Sequence, residues 1–183
     1  TGHVNLCFSV FSFGNRVKYQ IMGAPEDLSG AKELANQGRF QFQCWPLGLV
    51  GARPRGSEEK KGADRGIDGC IFFHDTKDLS EIKEIIIQVK SGEHIHSSQI
   101  RDLRGVVDGE KATIGVFITL EKPTREMKIA AISAGFYESP WGRHPKIQIL
   151  TIEELLEGKE IDYPKGDVDV TLKKSKIGLT WLI

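Results

Sequence analysis

The run Glu84-Ile85-Ile86-Ile87-Gln88-Val89-Lys90 constrains the fold more than any other segment of this chain. A β-strand sends successive side chains to opposite faces. Three adjacent isoleucines therefore need apolar cover on both sides, which predicts a central strand rather than one with a wet face. The pattern downstream agrees. Strands are predicted over 67–74 and 84–90, then a helix capped by Ser97 or Ser98 that carries Ile100, Leu103, Val106 and Val107. A strand over 112–119 follows, then a helix from Pro123-Thr124 to about Ala134, a short strand over 146–150 and a helix capped by Thr151. Strands alternating with helices predict an α/β sheet covered by helices.

The upstream third reads differently. Val4, Leu6, Phe8 and Val10 alternate, Gly14-Asn15 makes a turn, and Val17, Tyr19 and Ile21 alternate again, which predicts a β-hairpin over 1–22. Pro25 and Asp27 open a helix to about Gln37, with Gly38 as its stop. Phe42, Trp45 and Leu49 repeat at helical spacing over 40–50, where Pro46 must kink or limit the helix. Residues 51–66 are Gly-rich and charged, hence a loop. Val168, Val170 and Leu172 alternate once more before a tail with no clear pattern. The expected division is a hairpin extension over 1–22, a domain over 23–164, and a strand and tail over 165–183. A length of 183 residues suits one domain.

Three cysteines, odd in number and far apart, predict neither a zinc ribbon nor a disulfide framework and point to a reducing compartment. No apolar run is long enough to cross a membrane. The opening Thr1-Gly2-His3-Val4 has no signal-peptide character and suggests a piece of a longer chain. Cytoplasmic residence is the expectation.

The chemistry concentrates at two strand ends. Gly66-Ile67-Asp68-Gly69 heads one strand, and Gln88-Val89-Lys90 closes the next. Gln88 and Lys90 share a face because they are two residues apart. A lysine ending a run of isoleucines needs an anion or an exit to water. If the strands pair, Asp68 lies beside both, placing a carboxylate, an amide oxygen and an ammonium at one sheet edge. That set can hold Mg²⁺ beside a water and a phosphate, since the ion takes oxygen ligands and keeps several waters.

Asp68 with Gln88-x-Lys90 resembles the PD-(D/E)xK nuclease signature in its Gln variant. The longer run Gly62-Ala63-Asp64-Arg65-Gly66-Ile67-Asp68-Gly69, with Ile87-Gln88-Val89-Lys90 and Gly115-Val116-Phe117-Ile118-Thr119, resembles the Mrr-type restriction endonuclease domain. Phe40-Gln41-Phe42-Gln43 and Val50-Gly51-Ala52-Arg53-Pro54 resemble a domain at the C-terminus of some bacterial site-specific DNA methyltransferases. The resemblance spans about residues 23–164. It implies a restriction-endonuclease-like αβββαβ core, a mixed central sheet flanked by helices, and Mg²⁺-dependent hydrolysis of DNA phosphodiesters, with Mn²⁺ as a substitute ion. Asp68 is then the metal-binding acid, assisted by Gln88 and the Val89 carbonyl, and Lys90 the catalytic lysine. Gln88 stands where the second acid is usual, and Gln43 where a first-helix Glu supports the metal in many relatives. Asp68 is left as the only matched anionic ligand. Glu58, Glu59 and Asp64 are candidates to compensate.

The resemblance makes double-stranded DNA the expected partner, with a homodimer and a methyltransferase domain or subunit as further candidates. A role in restriction-modification or DNA defence competes with two others: a catalytically silent DNA-positioning module, and a repair or junction nuclease. With 25 basic and 25 acidic residues the net charge is zero, which excludes a polybasic binder and leaves a local strip. Arg53, Arg55, Lys60, Lys61 and Arg65 supply it, and Arg101 and Arg104 continue it one helical turn apart. Ser91 and Gln99 sit near enough to reach a phosphate, or serve as surface and helix-cap residues. Trp141, in a Gly/Pro-rich loop, either stacks on a base or anchors that loop. His94 and His96 have strand-like ligand spacing without a third partner nearby.

Overall fold

The computed structural model describes residues 24–55, 66–75, 81–92 and 94–165. The predicted N-terminal hairpin, the basic positions Lys60, Lys61 and Arg65, the acids Glu58, Glu59 and Asp64, and the Val168-to-Leu172 strand lie outside the described residues.

The isoleucine run is the middle of the sheet, as its continuity demands. It forms β3 (Lys83–Lys90), flanked by β2 (Gly69–Phe73) and β4 (Ile114–Thr119), with β1 (Arg53–Pro54) and β7 (Ile147–Thr151) outermost. β1 and β2 pair antiparallel, as do β2 and β3 (Cys70 opposite Ile86). β3, β4 and β7 run parallel (Ile86 opposite Gly115, Phe117 opposite Ile149). The sheet is therefore mixed.

Alternation along β3 divides the core between two faces. Ile85, Ile87 and Val89 join Ala31 and Leu34 of α1 (Leu28–Gln37), Phe42, Trp45 and Leu47 of α2 (Arg39–Leu49), and Ile152 and Leu155 of α5 (Ile152–Leu156). Ile86 joins Ile100, Leu103 and Val107 of α3 (Ser97–Gly109) and Met127 and Ala131 of α4 (Arg125–Ile132). Ile85, Ile86 and Ile87 are all fully buried. Burying each isoleucine side chain stabilises the fold by about 1.5–3 kcal/mol relative to leaving it in water.

Helix ends follow their capping chemistry. The Asp27 carboxylate accepts the Gly30 N–H at 2.7 Å, and Thr124 Oγ1 accepts that of Met127 at 3.3 Å. Thr151 and Glu154 close a reciprocal capping box on α5.

Four local readings change. The α3 cap is His96 rather than Ser97 or Ser98, because Gln99 Oε1 accepts the His96 N–H at 3.1 Å. Pro46 does not limit α2, which runs on to Leu49. Phe42, Trp45 and Leu47 are buried on either side of it, and their packing outweighs one missing backbone donor. The loop around Trp141 is a hairpin, β5 (Phe136–Ser139) paired with β6 (Gly142–Pro145). Cys70 is buried on β2, whereas Cys44 is disulfide-bonded, which scattered cysteines did not suggest.

Candidate active site

The site is a corner where β2 parts from β3. Their pairing begins at Gly69 opposite Ile87, and the Asp68 N–H still donates to the Ile87 carbonyl at 2.9 Å. Gly66, at φ +73°, then turns the chain away. Val89 has its N–H on this side of β3, where the ladder has ended. Asp68 Oδ2 takes the place of the missing strand and accepts that N–H at 2.7 Å. The carboxylate is thereby fixed to the sheet rather than left free in a loop.

Helix α2 closes the corner from above. Gln43 Nε2 donates to Asp68 Oδ1 at 3.2 Å. The helix approaches this closely because Gly69 has no side chain: a Cβ there would stand 2.6 Å from Leu47 Cδ2. Gln88 is 6% exposed and packs against the turn, where a Cβ on Gly66 would meet Gln88 Nε2 at 2.8 Å. Among the described residues the Gln88 amide makes no hydrogen bond. Lys90, half-buried, ends the strand on the same face as Gln88.

Burial pushes the Asp68 carboxyl above its usual range. The Val89 N–H, the Lys90 ammonium and the Arg39 guanidinium each favour the ionised form without overcoming that desolvation. Arg39 was not a sequence candidate. The available signal was its position four residues before Gln43, which puts both on one face of α2.

The structure thus brings Gln43, Asp68, Gln88, Val89 and Lys90 together. It distributes the candidate phosphate contacts less compactly. Arg53 is exposed on β1. Arg55 reaches back along the sheet to Glu84 at 3.5 Å and Glu110 at 3.8 Å. Ser91 follows Lys90 and is half-buried, and Gln99 is engaged in capping α3. Arg101 donates to Ser97 Oγ at 3.1 Å, and Arg104 lies 4.0 Å from Asp108. Among the described residues no three His, Cys, Asp or Glu side chains gather as a metal cluster around Asp68 or elsewhere.

Trp141 belongs to the far end of the sheet. Its Nε1–H donates to the Asp75 carbonyl at 3.0 Å, and the residue stays 64% exposed. Asp75 follows β2 beyond Phe73, which pairs with Lys83 at the start of β3, the end opposite Lys90. There the Asp75 carboxylate is buried and accepts the Tyr137 hydroxyl. A cleft of about 750 Å³ along β7 and α4, lined in part by Lys128, Ile132, Phe136 and Leu150, includes none of Asp68, Gln88 or Lys90.

A mixed sheet with an acid, an amide and a lysine at one corner is a nuclease-like arrangement, and residues 51–157 match the family model for restriction endonucleases, the Mrr catalytic domain. The chain belongs to that family. The match covers more than half of its length and includes Asp68, Gln88, Val89 and Lys90, while Arg39 and Gln43 precede it. The fold is also that of a solved structure, the MspJI restriction endonuclease in complex with a 27-mer oligonucleotide. The TM-score is 0.52 at 15% identity, over 79% of this chain and 34% of the MspJI chain. The chain thus spans about a third of that protein's length. No curated protein matches the chain. Among the described residues no helix is long and apolar enough to cross a membrane.

Proposed function

We propose that this chain is the catalytic domain of a metal-dependent endonuclease that hydrolyses phosphodiester bonds of double-stranded DNA, in restriction-modification or DNA defence. The observation that carries the reading is the clamped Asp68 beside Gln88 and Lys90. Each Asp68 oxygen holds one N–H donor, which leaves acceptor capacity on both. The Val89 carbonyl opens on the same side of β3 as its N–H, toward that carboxylate. Oxygen donors with one negative charge suit a hard divalent cation that keeps most of its waters, hence Mg²⁺ with Mn²⁺ as a substitute. Bound there, such an ion supplies polarisation of a phosphate oxygen and a more acidic water.

The chain's own residues do the rest. Asp68 contributes its charge only when ionised, and Val89 and Gln43 hold its plane fixed. Gln88 offers a neutral oxygen where a second acid would add charge. Lys90 projects an ammonium from a rigid strand end, where it stabilises charge developing on the phosphate and orients the attacking water. With one carboxylate the site holds its metal weakly, so cleavage needs high Mg²⁺ or Mn²⁺.

Supercoiled plasmid incubated with Mg²⁺ or Mn²⁺ tests this. Wild type is expected to nick or linearise it, while Asp68→Ala and Lys90→Ala do not. Equal background from all three proteins, with DNA binding retained, would instead support the catalytically silent, DNA-positioning role.

A further inference from the structure

We propose that Arg39 is a DNA-binding residue of the active site, contacting the phosphodiester backbone at the corner formed by Asp68 and Lys90. This rests on the nuclease reading and extends it to a residue outside the Mrr motif. Arg39 is the first residue of α2, and Gln43 lies one turn further on. Side chains four apart on a helix are neighbours, about 5–6 Å between Cβ atoms. Gln43 touches Asp68, so the helix face that Arg39 shares is the one closing the corner.

Charge makes the second argument. Arg39 is exposed and forms no ion pair among the described residues. Arg55, Arg104 and Arg143, by contrast, each lie within 4.0 Å of a carboxylate. Among the described residues, the groups at the corner are one carboxylate (Asp68), two cations (Lys90 and Arg39) and two neutral amides (Gln43 and Gln88). These described groups sum to a net positive charge even before a divalent cation is added. A phosphodiester is the anion that balances it, and a guanidinium meets phosphate oxygens in a two-pronged geometry. The electrostatic influence of Arg39 on Asp68 agrees with this proximity.

Duplex binding without catalysis isolates the effect. Affinity of wild type, Arg39→Ala and Arg39→Lys for a 30-base-pair duplex would be measured in EDTA across a salt series. Arg143→Ala, at the opposite end of the sheet, is the control. Arg39→Ala is expected to weaken binding about 5- to 10-fold and to lower the slope of log K against log salt by about 0.9, as for one lost phosphate contact. Arg39→Lys should retain the slope, and Arg143→Ala should match wild type. Melting curves should coincide for wild type and Arg39→Ala, since the side chain is exposed. If wild type binds while Arg39→Ala keeps the same affinity and slope, the Arg39 assignment is overturned and the nuclease reading stands. Wild type that binds no duplex at any salt concentration would overturn both.

Discussion

The distance between α2 and β2 is set at Gly69, and adding one methyl group there should damage stability and catalysis together. An alanine Cβ would stand 2.6 Å from Leu47 Cδ2, 3.0 Å from Cδ1 and 3.1 Å from the Arg53 carbonyl. Carbon atoms in contact prefer about 3.5–4.0 Å, so the overlap approaches 1 Å. Leu47 is 1% exposed and has little room to turn. The Arg53 carbonyl belongs to a β-ladder residue, so α2 must give way. Overpacking of this kind costs about 1–3 kcal/mol. At about 2–4 °C per kcal/mol for a chain of this size, the melting temperature should fall by about 2–12 °C. A 1 Å retreat of the helix would stretch the 3.2 Å Gln43–Asp68 hydrogen bond beyond bonding distance. Misplacement on that scale can reduce turnover about 100-fold. Thermal denaturation and plasmid cleavage on one preparation measure both effects. Combining Gly69→Ala with Leu47→Ala should make the two stability losses less than additive, because the cavity admits the methyl group. An unchanged melting temperature and rate in Gly69→Ala would refute this account of the corner.

Other perturbations probe the same construction. The folded pKa of Asp68 is raised, so its ionised form opposes folding: the favourable contribution is complete below the unfolded value, about 4, and is lost as pH rises through the folded one. Asp68→Asn should therefore melt higher than wild type at neutral pH, with the advantage gone in acid. Wild-type cleavage should decline as falling pH protonates this carboxyl. Gln43→Glu adds a second carboxylate and should tighten Mn²⁺ binding about 10-fold, read by titration calorimetry; weaker binding would place Gln43 outside the metal's reach. Tyr137→Phe removes the side-chain donor to the buried Asp75 carboxylate, whose Oδ1 has no partner among the described residues. It should cost about 1–3 kcal/mol by denaturant titration and leave cleavage intact, because Asp75 lies at the far end of the sheet.

The legible parts of this protein are those governed by local periodicity. Ile85, Ile86 and Ile87 declare a strand covered on both faces, and the period of two places Gln88 with Lys90. Once β2 and β3 pair, Asp68 has nowhere else to be. Gln43 was reachable only through its resemblance to a first-helix acid, because its approach to Asp68 depends on how α2 crosses β2. That crossing is a tertiary contact between Gly69 and Leu47, and the proximity of Arg39 follows from it. The β5–β6 hairpin was hidden for a local reason: each strand has four residues, and Pro140 and Gly142 read as loop formers. The His96 cap was obscured by the better intrinsic capping residues Ser97 and Ser98, until Gln99 closed on the His96 amide.

The most direct test of the central claim is the single-turnover rate of duplex cleavage by wild type and Lys90→Ala at saturating Mn²⁺. If Lys90 acts at the phosphate from the corner it shares with Asp68 and Gln88, the variant should lose at least about 100-fold in rate, with an unchanged circular dichroism spectrum. Equal rates from the two proteins would contradict the assignment of this corner as the active site.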